Sequence, residues 1–87
     1  MENQLFIELN YGKYYLADLH SKTKEEAKAE LIYLISSLDW DYKCILVVHG
    51  YHKGVALKDY IRGEFNHKLI SGKVNIDAGC TLLRLKR

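Results

Sequence analysis

The chain has 87 residues, no proline, two cysteines and a net charge of +2. That length holds one domain, near the lower size at which an apolar core suffices alone, and two cysteines are too few for a disulfide framework. No apolar run is long enough to span a bilayer and Met1-Glu2-Asn3-Gln4 is no secretory signal, so the expectation is a cytoplasmic domain with no membrane partner.

In chain order, Gln4-Leu5-Phe6-Ile7-Glu8-Leu9 reads as a first strand, Asn10-Tyr11-Gly12-Lys13 as a turn and Tyr14-Tyr15-Leu16-Ala17-Asp18-Leu19 as a second strand. The short connection predicts an antiparallel hairpin, whose first strand is an edge able to pair with another copy. Thr23 stands three residues ahead of Glu26, the spacing of a capping box. The helix that follows gathers Ala27, Leu31, Leu34, Ile35 and Leu38 on one stripe, with Lys28 and Glu30 outside it, and Asp39-Trp40-Asp41 ends it. Lys43-Cys44-Ile45-Leu46-Val47-Val48 is continuously apolar, as in a central strand covered on both faces. Cys44 there is a small buried hydrophobe, and Cys80 has no basic neighbour to make it reactive.

The glycine-bearing loop His49-Gly50-Tyr51-His52-Lys53-Gly54 leads into a second helix, from about Ala56 to Lys68, that buries Leu57, Ile61 and Phe65. Ser71-Gly72-Lys73 breaks the chain, and Val74-Asn75-Ile76 and Cys80-Thr81-Leu82-Leu83-Arg84-Leu85 close it around the turn Asp77-Ala78-Gly79. The order is ββαβαββ. It predicts an α/β fold over residues 1–87, a two-layer α/β sandwich with a mixed four- to five-stranded sheet and two helices.

Chemistry gathers at two strand ends, Asp18-Leu19-His20 and Val47-Val48-His49-Gly50. Ligands of open α/β sheets bind where parallel strands end, so Asp18, His20 and His49 are expected to converge there. A histidine pair oriented by an aspartate can perform general acid–base chemistry at a phosphodiester, one ring taking a proton and the other giving one. Both helices begin just beyond, and their first amides form phosphate sites. Gly50 and Gly54 would admit an anion to the backbone, and Tyr51 would stack on a base. Lys53, Lys58 and Arg62 would extend the positive potential and hold the nucleic-acid backbone, and His52 on the same loop would add to the binding surface.

The charge pattern agrees. Residues 1–43 carry five lysines against eight acids, whereas residues 44–87 carry eight basic residues against three acids, an asymmetry that points to a polyanion. Asp18, His20, His49 and His52 are also ligand types for zinc or iron, but no paired spacing fixes two of them on one element, and no metal is expected. There is no P-loop, GxGxxG or GxSxG, and so no cofactor.

Over about residues 14–86 the segments resemble the Smr (small MutS-related) domain. The matching residues are Ala17-Asp18-Leu19-His20, Glu25-Glu26-Ala27, Val47-Val48-His49-Gly50, Gly54 with Leu57-Lys58, and Ala78-Gly79-Cys80-Thr81 before Leu82-Leu83-Arg84-Leu85. The resemblance implies a two-layer sandwich that binds nucleic acid, with endonuclease activity in some members on RNA or branched DNA and links in others to ribosome rescue. It assigns cleavage to Asp18 and His20 and substrate contact to His49 and Gly50. Ser21 stands where the family motif has glycine after the histidine, His52 stands at the second glycine of its His-Gly-x-Gly, and only Gly79 remains of its last glycine pair. The function expected is nucleic-acid binding, RNA favoured, with metal-independent scission of phosphodiesters. The alternative is a non-catalytic module for a protein or ribosomal surface, its affinity following Tyr51 or Tyr60. The residues fix no oligomeric state.

Overall fold

In the computed structural model, which describes residues 2–50 and 55–87, the first element is a helix, α1 (Glu2–Tyr11), where a strand is expected. Gly12 explains the difference. It adopts a left-handed φ of +91° and its N–H donates to the Glu8 carbonyl at 3.1 Å, the single-bond αL closure of a helix C-terminus. Ile7 and Tyr11, four residues apart, then meet the sheet from one side of α1, packing with Cys44, Leu46 and Leu82. Leu5, Phe6 and Leu9 are left exposed.

The remaining elements are β1 (Tyr14–Asp18), α2 (Lys24–Ser37), β2 (Cys44–Val48), α3 (Val55–Asp59) running into a π-helical turn (Tyr60–Glu64), β3 (Ile70–Asp77) and β4 (Cys80–Leu85). The order is thus αβαβαββ, not ββαβαββ. The strands form one mixed four-stranded sheet, β1-β2-β4-β3, with β1 parallel to β2 and the other pairs antiparallel. The α/β class and the mixed sheet agree with expectation; the hairpin does not exist.

On one face α2 and α3 bury Ala27, Leu31, Leu34, Ile35, Leu57, Ile61 and Phe65 against Ala17, Leu19, Ile45, Val47, Leu83 and Leu85. Each large side chain removed from water here contributes roughly 1.5–3 kcal/mol. The capping box forms: Thr23 Oγ1 accepts from Glu26 N at 3.1 Å, and Thr23 N donates to Glu26 Oε1 at 2.9 Å. At the other end of α2, Arg87 donates to the carbonyls of Leu38 at 3.1 Å and Ile35 at 3.4 Å, a cation where the helix dipole is negative.

The second helical segment ends sooner than expected. Phe65 N donates to the Tyr60 carbonyl at 2.7 Å, an i→i−5 closure, and Phe65 itself is extended. Lys73 Nζ caps the end by donating to the Phe65 carbonyl. Ser71-Gly72-Lys73, expected to break the chain, runs inside β3, where a register shift between Ile70 and Gly72 absorbs the irregularity as a bulge. No helix among the described residues is long and apolar enough to cross a membrane.

Gly12 tolerates no side chain for two reasons: its φ, and an added Cβ that would lie 2.9 Å from Lys43 Cγ. Gly12→Ala is expected to lower stability by about 1–2 kcal/mol or more, read as a lower urea midpoint at unchanged slope.

Candidate functional site

The parallel register pairs Asp18 with Val48, and Leu19 N extends the ladder by donating to the Val48 carbonyl at 2.8 Å. Successive side chains alternate between faces. Leu19 and His49 therefore turn toward the helical layer and are buried, while Asp18, His20 and Gly50 fall on the opposite side. An added Cβ on Gly50 would stand 3.9 Å from His20 Cβ, which sets residues 20 and 50 side by side. His20 and His49 do not share one cleft.

Asp18 and His20 form an exposed dyad: the Asp18 carboxylate accepts from His20 Nδ1 and, at 3.3 Å, from the His20 amide. The hydrogen bond from the ring holds the Asp18 carboxyl below the ordinary aspartate range; partial desolvation opposes this, and the His20 amide and the charge of Lys22 assist. With Nδ1 committed to the carboxylate, Nε2 is the free position of the ring, and it has no protein partner among the described residues. Such an aspartate fixes ring orientation and tautomer and stabilises the imidazolium once a proton is taken.

Ser21, next in sequence, has a left-handed φ of +70°, a conformation that costs an L-residue about 1–2 kcal/mol. Glycine supplies it without that strain.

His49 belongs to a buried chain of hydrogen bonds. Arg62 Nε donates to Thr81 Oγ1 at 2.7 Å. Thr81 Oγ1 lies 2.9 Å from His49 Nε2, and His49 Nδ1 lies 2.8 Å from the Gly50 carbonyl. The Gly50 carbonyl can only accept, so His49 carries a proton on Nδ1, and the neutral ring accepts the Thr81 hydroxyl's hydrogen at Nε2 while Thr81 accepts from Arg62. Burial pushes the His49 imidazole below the ordinary histidine range; the Gly50 bond opposes this, and the positive charges of Arg62 and Lys58 add to it. His49 is a structural core histidine, without access to a substrate proton.

Arg62 was expected to hold a nucleic-acid backbone, but its guanidinium clamps the β3–β4 turn instead, donating also to the Cys80 carbonyl at 3.2 Å and to the Asp77 carbonyl. Lys58 is half-buried, and its positive charge acts on the same buried ring. Gly50 has a φ of +79°, but its amide donates to the Gly79 carbonyl at 3.1 Å and is not available to an anion. The first turn of α2 is occupied by Thr23, Glu25 and Glu26, so it offers no phosphate site. Tyr51, His52, Lys53 and Gly54 lie outside the described residues.

Thr81 and Ser21 are contributors that sequence reasoning missed. Thr81 had a signal, as the one hydroxyl on the inward parity of Leu83 and Leu85; the strain at Ser21 had none beyond its place after the histidine. Burial pushes the thiols of Cys44 and Cys80 up to about 11, so neither is a nucleophile near neutral pH. Among the described residues no three His, Cys, Asp or Glu side chains gather as metal ligands. Comparison of the chain with protein-family models, with curated proteins and with solved structures finds no match.

The buried neutral ring makes stability depend on pH in a defined window. Below the ordinary value of 6.5 the unfolded chain takes a proton on residue 49 that the folded chain refuses. Stability is therefore complete above about pH 6.5 and falls below it, by at most about 1.4 kcal/mol per pH unit. Urea unfolding at several pH values is expected to show this decline in the native chain and a flatter one in His49→Gln. Ser21→Gly is expected to raise stability by about 1 kcal/mol, checked by the same unfolding curves at neutral pH.

Proposed function

We propose that this domain binds nucleic acid, RNA in preference, at the edge where β1 and β2 end, and that Asp18 and His20 cleave a phosphodiester there without a metal. The observation that carries the reading is the exposed dyad, with a carboxylate on Nδ1 and Nε2 facing outward at the carboxyl edge of two parallel strands. His20 Nε2 would take the proton of a ribose 2′-hydroxyl as its oxygen bonds to phosphorus. The bond to the 5′-oxygen breaks, and that oxygen takes its proton from the imidazolium or from water. An attacking group supplied by the substrate needs one base only, and this is the reason to favour RNA.

Support for an Smr-like reading comes from Ser21. Its left-handed backbone is the conformation glycine serves best, at the position where the family motif carries glycine. A second reading, a non-catalytic module that docks on a protein or ribosomal surface, is favoured by one observation: Leu5, Phe6 and Leu9 of α1 are exposed together with Leu16 of β1.

Labelled RNA and DNA, single-stranded, duplex and branched, incubated with the pure protein test the first reading. Binding to RNA is expected to weaken steeply with salt. His20→Ala is expected to abolish scission and Asp18→Asn to slow it by about 10²–10⁴, both with retention of RNA nearly unchanged. Scission that survives His20→Ala would remove the dyad from the reaction, and the absence of any scission with salt-insensitive binding would favour the docking module.

A further inference from the structure

The cation–π pairs among the described residues gather at one end of the sheet, where β1 and β2 begin, away from Asp18 and His20. Lys13 Nζ lies 4.4 Å from the Tyr42 ring, the Arg84 guanidinium 5.3 Å from Tyr11, and the Arg87 guanidinium 5.2 Å from Trp40. The sheet itself assembles them: Lys43 N donates to the Lys13 carbonyl at 2.8 Å, Leu85 N donates to the Lys43 carbonyl at 2.9 Å, and Arg84 is paired with Cys44.

Trp40 is 68% exposed. Arg87 stands over its indole while donating to the carbonyls of Leu38 and Tyr42 at 3.1 and 3.0 Å, so the cation that orients the ring is itself fixed. Beside them is a cleft of about 310 Å³ lined by Trp40, Leu69, Leu85, Lys86 and Arg87. Lys13, Lys43, Arg84 and Lys86 are exposed and form no ion pair among the described residues, although Asp39 and Asp41 lie on the same connection.

The geometry points to this end as a platform for single-stranded nucleic acid, with a base stacked on Trp40 and phosphates met by Lys43 and Lys86. Every base has a π face, so an aromatic ring set among cations binds strands with little regard to sequence. Stacking within a duplex hides those faces, and a duplex is a poor ligand for such a surface. Because Arg87 is already held, little side-chain freedom is lost on binding. The platform is separate from the dyad by the length of a five-residue strand, about 15 Å, and does not require that the dyad cleave anything.

Trp40 is the one tryptophan of the chain, so its fluorescence reports this site alone. Titration of the full chain with a short oligouridylate is expected to quench that emission saturably, with an affinity that falls steeply with salt. Lys86→Gln should reduce the slope of log affinity against log salt by about 0.7. Trp40→Leu, followed by anisotropy of the labelled strand, should weaken binding about tenfold. Both residues are exposed, and circular dichroism checks that the variants fold. Lys28→Gln, an exposed substitution outside both sites, should leave the quenching unchanged, and duplex RNA should quench far less. A strand that binds by anisotropy without altering Trp40 emission, or whose binding is unchanged in both Trp40→Leu and Lys86→Gln, would overturn the platform and place the strand elsewhere on the domain. Failure of the oligouridylate to bind at all overturns it outright.

Discussion

A guanidinium can only donate and a carbonyl can only accept, so with Arg62 at one end and Gly50 at the other the buried hydrogen bonds through Thr81 and a neutral His49 run one way. Thr81 accepts from Arg62 and must pass its own hydrogen to His49, and His49 must pass its hydrogen to Gly50. That one-way chain joins the π-helical turn, β4 and the end of β2. No buried side-chain polar atom among the described residues lacks a partner, a satisfied network of the kind that specifies one arrangement. Gly50 is held at its left-handed turn by the same chain, and Gly50 is the neighbour against which His20 rests. The exposed dyad thus owes its position to groups it never touches.

Strand parity divides the labour. Odd-numbered positions of β1 and β2 meet α2 and α3, whereas even-numbered positions meet α1 through Tyr14, Cys44 and Leu46 and carry Asp18 and, beyond the strand, His20. One residue of register separates a histidine that can exchange protons with solvent from one that cannot. The same strands hold a second contrast from end to end, with carboxylate and imidazole where they finish and lysine, arginine and aromatic rings where they begin.

Much of this was legible in the residues. Thr23 and Glu26 announced the start of α2, the apolar run from Cys44 announced a central strand, and Asp18 with His20 did meet. What was hidden had physical reasons. The continuous apolar character of β2 erased its parity, so nothing in the sequence said that His49 points inward. Gln4 to Leu9 alternates well enough for a strand; only Gly12, read as a helix stop and not as a hairpin turn, and the four-residue spacing of Ile7 and Tyr11 argue for α1. Arg62 looked like half of a basic helix face with Lys58, which assumed regular helical pitch through a segment that widens to a π turn. The left-handed backbone at Ser21 follows from the path of the chain between β1 and α2, and no local pattern encodes it.

The wide turn has a consequence of its own. Each residue advances a regular helix by about 100°, so the position of Arg62 relative to Leu57, and of Phe65 relative to Arg62, depends on how many residues Tyr60–Glu64 contains. Loss or gain of one there would turn everything beyond it, carrying Phe65 out of the core or the guanidinium off Thr81 without altering a single core side chain. Gly63 and Glu64 are exposed and free to vary in kind. Across related chains this stretch should accordingly drift in spelling while keeping its count.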